Sequence, residues 1–199
     1  VALVVIAASI LAGADPESDR VAFIQHFEKR FPNIDIAAHK DGTYALNEAT
    51  RAQWVELADF PPSVMAVDDG EALFEVPFAN GRQYADCFDN GGIGIKQNFP
   101  YFDSQKKQVI TLELAINNCR QANGESPLDY LGDEISYLSA YMAFTSRGKT
   151  FDIKVPSAAL AAYEQGKQFF YERRGQLDFS CSGCHVQSAG SQLRAEFLS

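Results

Sequence analysis

Five consecutive residues near the end of the chain, Cys181-Ser182-Gly183-Cys184-His185, form the pattern Cys-x-x-Cys-His. Two thiols at this spacing can form thioethers with the two vinyl groups of one porphyrin. The histidine that follows them is then held beneath the ring, where an imidazole nitrogen can ligate the iron. The pattern predicts one covalent haem c, attached through Cys181 and Cys184, with His185 as the iron ligand.

Three other uses of these thiols remain open: a thioredoxin-like redox pair, half of a zinc site, and a disulfide in a haem-free exported scaffold protein. A zinc site requires further ligands at matching spacing, and the sequence contains no second closely spaced Cys pair. A thioredoxin motif follows a strand in a βαβ unit, whereas this motif follows a predicted amphipathic helix and a short basic loop. The haem interpretation is therefore favoured.

The chain as a whole has 199 residues and a formal net charge of -9. This length allows one or two domains with a substantial hydrophobic core. A strongly acidic chain is a poor partner for nucleic acid, so nucleic-acid binding is excluded as the main function. The composition is typical of a soluble globular protein.

Residues 1–14 are apolar and then turn to small side chains. This is typical of the later part of a secretory signal peptide, and the basic beginning of such a peptide is not present. The run is short for a membrane span, although a buried helix or a lipid anchor remains an alternative. We expect the mature protein to start near Asp15, to have no membrane span and to lie in the periplasm. In that oxidising compartment Cys87 and Cys119 can persist as a disulfide.

Apolar spacing, capping residues and prolines predict mainly helical structure. The predicted helices are residues 20–31, 47–57, 67–74, 111–122 and 129–145, followed by a helix that starts near Ser157 and includes Gly166. His26 and His39 lie in the N-terminal part and could in principle ligate iron. No neighbouring residues resemble a metal site, so the sequence favours a packing or surface role for both.

Two segments of the chain resemble each other. In the first, the helix with Gly70 and Phe74 is followed by a loop and then Cys87. In the second, the helix with Gly166 is followed by a loop and Cys181, and the two copies differ by two loop residues. An internal repeat of this kind indicates duplicated domains. Small c-type cytochromes open with such a helix, and its glycine lets it cross closely against the last helix of the domain.

The first copy lacks the residues that attach haem. Asn90 stands at the position of the second Cys, and Gly91 stands at the position of the His. This copy is therefore predicted to be a cytochrome-like domain without haem. Two thiols in an exported domain without a cofactor are more often bridged than free, so we expect Cys87 to pair with Cys119. Met142 is a possible iron ligand, but without a haem to bind it is better explained by core packing.

The predicted fold class is mainly α, with two cytochrome c-like domains, the second incomplete in this chain. The predicted boundaries are a signal-peptide remnant at 1–14, an N-terminal arm at 15–63, a haem-less cytochrome c-like domain at 64–147, a linker at 148–156 and the start of a haem-binding domain at 157–199.

Several blocks of the sequence are distinctive when taken together. They are residues 81–92, 97–103 and 111–117, Cys119-Arg120, and 171–177 running into the Cys-x-x-Cys-His motif. Together they resemble one family, the sulfur-oxidation cytochrome SoxA. The resemblance covers nearly the whole chain after residue 14. It is closest to the single-haem type of this family, in which a disulfide replaces the N-terminal haem.

The resemblance implies a specific activity and set of partners. SoxA proteins pair with the cytochrome SoxX in the periplasm, couple thiosulfate oxidatively to a cysteine of the carrier protein SoxYZ, and act as L-cysteine S-thiosulfotransferases. Electrons leave through haem to a further cytochrome c. His185 matches the proximal ligand. The distal cysteine and the substrate-binding arginine are expected beyond Ser199, so no catalytic residue is assigned in this chain.

An alternative function belongs to a different class: the protein would be a plain periplasmic electron-transfer cytochrome c without substrate chemistry. An arginine shortly before a cysteine in the sequence after Ser199 would favour the enzyme, whereas a Met or His ligand there would favour the electron carrier.

Overall fold

The computed structural model describes residues 15–59, 61, 63–194 and 196–198. The predicted signal peptide at residues 1–14 lies outside the described residues. Six α-helices occur in the described part: α1 Pro16–Arg30, α2 Glu48–Ala58, α3 Val64–Glu75, α4 Leu112–Ala122, α5 Asp133–Phe144 and α6 Leu160–Tyr171. Among these residues, no helix combines the length and the apolar character needed to cross a membrane. The prediction of a mainly helical fold is confirmed.

The helix boundaries follow local sequence signals. Pro16 opens α1, where its missing N–H costs nothing, and the side chain of Thr111 caps α4 by accepting a hydrogen bond from the N–H of Leu114 at 3.2 Å. α5 begins at Asp133 and not at the predicted 129. The residues before it form turns, in which Asp129 accepts a hydrogen bond from the N–H of Leu131 at 3.0 Å. Such side-chain bonds to nearby backbone compete with helix formation.

Two short antiparallel hairpins were not predicted from the sequence. β1 (Tyr101–Asp103) pairs with β2 (Gln108–Ile110), and β3 (Gln192–Leu193) pairs with β4 (Glu196–Phe197). Strands of two or three residues carry too little alternation to be recognised by period.

The chain divides into two compact units. One contains residues 49–159, and the other combines the described residues of 1–48 with those of 160–199. The division falls next to residues 149–156, which form no helix or strand. The first of these units contains the segment with Cys87, and the second contains the Cys-x-x-Cys-His motif.

The unit of residues 49–159 is built on the crossing of α3 and α5, with α4 packed against α5. Its core includes Phe74, Phe78 and Tyr84 together with aliphatic side chains of α4 and α5. The ring centroids of Phe78 and Tyr84 are 4.8 Å apart, and those of Phe74 and Tyr84 are 5.7 Å apart. Burial of these large side chains supplies most of the driving force for folding this unit.

The glycine of α3 makes the crossing possible. A Cβ at Gly70 would lie 2.0 Å from the carbonyl oxygen of Tyr137 in α5. The backbones of the two helices therefore touch at this point, which only a residue without a side chain permits. The close crossing that the sequence predicted for Gly70 is present.

In the other unit, side chains of α1 contact side chains of α6. The ring of Phe23 lies 6.4 Å from that of Phe170, and the carboxylate of Asp19 pairs with Lys167 at 2.7 Å. The N-terminal residues therefore share a unit with the segment that carries the Cys-x-x-Cys-His motif.

Candidate haem-binding site

The Cys-x-x-Cys-His residues form a short helical turn. Residues 181–182 are α-helical, and Gly183–Gln187 continue as a single π-helical turn. The hydroxyl of Ser180 accepts a hydrogen bond from the N–H of Gly183 at 3.0 Å, which is the role of an N-terminal cap. Cys181 and Cys184 lie three positions apart in this turn, and His185 follows directly.

Both motif cysteines are unbridged. Cys181 is exposed, Cys184 is half-buried, and His185 is exposed. By contrast, Ser182 between the cysteines is only 1% exposed and anchors the turn to the protein. The turn is thus held by the buried Ser182, while Cys181 and His185 are exposed.

Large apolar side chains close to the motif in sequence are also exposed. Leu177 is 73% exposed, Phe179 63% and Leu193 60%. Such side chains could pack against a flat apolar macrocycle attached at Cys181 and Cys184, because contact between apolar surfaces removes both from water. The donor set and its surroundings therefore fit haem c, held by the two cysteines with His185 as the iron ligand.

The loop before the motif is ordered by a bridge between Arg174 and Phe179, whose backbones exchange hydrogen bonds of 2.9 and 3.1 Å. Arg173 pairs with Asp178 at 3.0 Å across the same loop. The guanidinium of Arg174 lies 3.5 Å from the centre of the Phe169 ring, a cation–π contact that ties the loop to the end of α6. These contacts set the direction in which the chain enters the motif.

The alternative uses of the thiols find little support in this geometry. Within the part of the chain that the structure describes, no three His, Cys, Asp or Glu side chains gather as they would around a metal ion. The motif follows α6 and a tight loop, and the hairpins among the described residues are antiparallel, so the βαβ setting of a thioredoxin motif is not found there.

The corresponding segment of the first copy has a different structure. Cys87 is joined to Cys119 of α4 by a disulfide with a Cα–Cα distance of 5.8 Å. Asn90 and Gly91, which stand at the positions of the second Cys and the His, adopt left-handed conformations with φ of 50° and 61°. The backbone here turns instead of forming the helical turn seen at Cys181, and the thiol of Cys87 is already used.

The space beside this segment is filled by protein side chains. A Cβ at Gly92 would lie 2.7 Å from the ring of Phe74, and the side chain of Met142 is next to it. Met142 is fully buried in the core of this unit, as the core-packing interpretation predicts.

The two histidines of the N-terminal part pack against aromatic rings. His26 makes an edge contact with Phe27, at a centroid distance of 5.3 Å. His39 lies 6.1 Å from the rings of both Phe27 and Phe31. These contacts agree with the packing or surface role that the sequence favours, and His26 is exposed.

One ionisable group with a strongly raised pKa lies on α6. Burial, together with the hydrogen bond that its hydroxyl donates to Asp19 at 2.8 Å, raises the pKa of Tyr163 to about 12. Lys167 donates to the same carboxylate, and this bond lowers the pKa of Asp19 and raises the pKa of Lys167. The cluster is a structural anchor between α1 and α6.

Sequence reasoning missed the contact of Arg30 with the chain after the motif. Its guanidinium donates two hydrogen bonds to the carbonyl of Ala189, at 2.9 and 2.7 Å. These residues are 159 positions apart, and no local pattern reports such a pairing. The only sequence signal is a basic residue in the last turn of a helix, which is common for other reasons.

Known proteins resemble this chain in sequence and in structure. The family described as "SoxA/TsdA, cytochrome c domain" matches residues 69–151. The L-cysteine S-thiosulfotransferase subunit SoxA of Allochromatium vinosum is 46% identical over 192 residues, covering 95% of this chain and 68% of the relative. The chain belongs to the SoxA family. The resemblance found in the sequence is thereby confirmed.

The chain is also similar to other members of the SoxA family. The L-cysteine S-thiosulfotransferase subunit SoxA of Chlorobaculum tepidum is 50% identical over 184 residues, covering 92% of this chain and 64% of that protein. The chain therefore spans somewhat less than two thirds of the length of that relative. The solved structure described as "Crystal structure of SoxXA from P. pantotrophus" matches with a TM-score of 0.66 and 28% identity, over 77% of this chain and 59% of that one.

The position of the family match is informative. Residues 69–151 lie inside the unit of residues 49–159, which contains the Cys87–Cys119 disulfide and not the Cys-x-x-Cys-His motif. This unit is thus a cytochrome c domain by family, although Asn90 and Gly91 replace two of the residues that attach haem.

Proposed function

We propose that this chain is part of a single-haem SoxA subunit, which couples thiosulfate oxidatively to a cysteine of a SoxYZ-like carrier protein. The observation that carries the proposal is the contrast between the two copies of the repeat. One presents two unbridged thiols and a histidine on a capped turn, and the other has a disulfide at the matching cysteine. One covalent haem c would thus be held by Cys181, Cys184 and His185.

The chemistry requires an electron path. Joining a thiosulfate sulfur to a cysteine sulfur forms one S–S bond and releases two electrons. Haem c, when bound, accepts one electron at a time. A second acceptor is therefore needed, and we propose a SoxX-like cytochrome subunit as partner, with a further cytochrome c taking the electrons onward.

The residues of this chain supply binding and orientation. Cys181 and Cys184 would fix the porphyrin, and His185 would ligate the iron. Leu177, Phe179 and the neighbouring apolar surface would shield the ring from water, and burial is one of the factors that set a haem potential. We assign no catalytic residue among the residues of this chain.

We further propose two cytochrome c-like domains and a periplasmic location. The repeat around Gly70 and Gly166 supports the duplication. Haem attachment through Cys-x-x-Cys-His and a disulfide between Cys87 and Cys119 both suit an exported protein.

The haem proposal is tested by expressing the full-length gene with haem maturation and measuring the alkaline pyridine spectrum. We expect one haem per chain. The double variant C181S/C184S should lose the covalent haem, whereas the matched variant C87S/C119S should retain it. A parent protein without a haemochrome band, or with two haems, would contradict the proposal.

The enzymatic proposal is tested separately with the purified complex, thiosulfate, the carrier protein and an oxidised cytochrome c. We expect the carrier cysteine to gain a thiosulfate group, seen by intact mass, together with reduction of the cytochrome. A protein that exchanges electrons normally but leaves the carrier unmodified would be an electron carrier only.

A further inference from the structure

Arg30, the last residue of α1, holds the backbone just after the haem motif. Its Nε and Nη2 atoms donate hydrogen bonds of 2.9 and 2.7 Å to the carbonyl oxygen of Ala189. Ala189 is four residues after His185. A hydrogen bond from an ionised donor is roughly twice as strong as a neutral one, and two from one planar group also fix direction.

The same stretch is packed tightly against α1. Ala189 is only 1% exposed. A Cβ at Gly190 would lie 2.8 Å from the ring of Phe31, so the chain passes this ring at backbone distance. The guanidinium of Arg30 and the ring of Phe31 therefore hold two consecutive residues, and the backbone there has little freedom to move.

α1 also contacts the chain on the other side of the motif. Asp19 accepts hydrogen bonds from Tyr163 and Lys167 of α6, at 2.7 to 2.8 Å, and Phe23 packs against Phe170. α1 is thus attached to the helix that leads into Cys181 and to the residues that leave His185. It therefore contacts segments that lie before and after the motif in the chain.

We infer that Arg30 is a positioning residue for the haem, acting through the Ala189 carbonyl on the turn that carries His185. The direction of an iron ligand and its hydrogen-bonded surroundings tune the electronic properties of a metal centre. Loss of the Arg30 bonds would leave the Ala189 carbonyl buried without its donors and would let the turn relax. The inference rests on the proposed attachment of haem at Cys181 and Cys184.

A merely structural role would give a different result. If Arg30 only attached α1, its replacement would lower stability while the haem that remained attached kept its spectrum and potential. A positioning role predicts a change in the haem itself, in protein that is folded and fully loaded.

The experiment uses full-length protein matured with haem, in four forms: the parent, R30Q, R30K and R20Q. Arg20 is the matched control because it lies on the same helix and pairs with Glu17 in an exposed ion pair. Haem content per chain is measured first. Two properties of the haem are measured next. They are the ratio of oxidised to reduced haem at the parent's midpoint potential and the electron paramagnetic resonance signals of the ferric haem.

We expect full haem content in all four forms. In R30Q the ratio of oxidised to reduced haem should change at least about threefold. A tenfold change in this ratio corresponds to a shift of 59 mV in the midpoint potential for one electron. The resonance signals of the ferric haem should shift as well. R30K should be intermediate, because an ammonium keeps the charge but cannot donate in the same planar, two-bonded way. R20Q should match the parent.

Loaded R30Q with the parent's ratio and resonance signals would overturn the positioning role and leave the haem proposal intact. An equal change in R20Q would also overturn it, since the effect would then be one of net charge. If R30Q does not accumulate, R30K decides by the same readouts. A parent without haem would overturn the proposed function together with this inference.

Discussion

The carboxylate of Asp19 accepts hydrogen bonds from the hydroxyl of Tyr163 and the ammonium of Lys167. The Lys167 bond is the main cause of the lowered pKa of Asp19, and Tyr163 adds to it. A carboxyl group whose pKa is lower in the folded protein contributes stability that is present above its ordinary pKa. That contribution is lost as the pH falls through the folded pKa.

We therefore expect Asp19→Asn to lower the free energy of unfolding at pH 7. The difference from the parent should shrink towards zero as the pH falls below about 4, near the ordinary pKa of Asp. Urea unfolding of the full-length protein between pH 3 and pH 7 measures it. Asp178→Asn is the control, because Asp178 belongs to an exposed pair with Arg173 and Asn tolerates its positive φ of 50°. An equal, pH-independent loss in both variants would contradict this role of Asp19.

Between helices, the closest contact is the crossing of α3 and α5 at Gly70. A methyl group there would lie 2.0 Å from a backbone oxygen and 2.9 Å from the Cβ of Tyr141. Neither atom is the flexible end of a side chain, so the helices must separate to accept it. Overpacking of this kind typically costs about 1 to 3 kcal/mol, and occasionally more.

We expect Gly70→Ala to lower the free energy of unfolding of the full-length protein by about 3 kcal/mol. Asp69→Ala is the control, since the neighbouring Asp69 is exposed on the same helix. Denaturant titrations followed by circular dichroism compare the two. A Gly70→Ala protein as stable as the parent would show that the helices can move apart without cost.

Gly166 of α6 is the counterpart of Gly70 in the second copy of the repeat, so Gly166→Ala is the corresponding substitution. Among the described residues, nothing lies within 4 Å of a Cβ placed there. Under the proposed duplication, a further helix of the full-length protein crosses α6 at Gly166, and Ala would destabilise as it does at Gly70. Without such a helix, Ala would instead stabilise by about 1 kcal/mol, because it is the better helix former. The sign of the change decides.

For the molecule as a whole, the cysteine that follows the repeated helix has a different role in each unit. In the unit of residues 49–159 a disulfide joins Cys87 to Cys119, 32 positions later. A cross-link closing a loop of this size stabilises by about 2 to 4 kcal/mol in the chain-entropy account. In the other unit the matching cysteine belongs to the motif proposed to bind haem.

We expect C87S/C119S to lower the free energy of unfolding by about 2 to 4 kcal/mol. Treating the parent with a reductant should reproduce the loss, and the same treatment of the variant should have no effect, because thioether bonds to haem are not reducible. Urea unfolding with the fluorescence of Trp54, which lies in this unit, measures the change. A parent that is insensitive to reductant would show that the disulfide does not support the unit.

Local patterns in the sequence were sufficient for the helices and for the motif. α3 and α4 start within a few residues of their predicted positions because apolar period and caps act over a single turn. The Cys-x-x-Cys-His chemistry depends on residue types at adjacent positions. The absence of a haem motif at Asn90 and Gly91 is likewise a property of the residues themselves.

The contacts of α1 with the rest of its unit were decided only by the tertiary structure. In the sequence it was a helix in an arm of no assigned role, with two histidines nearby. In the structure it shares a unit with α6 and the haem motif through Asp19 and Arg30, whose partners lie more than 140 residues away. Contacts at that separation leave no period or spacing in the chain, because they depend on where two distant segments meet and not on either segment alone.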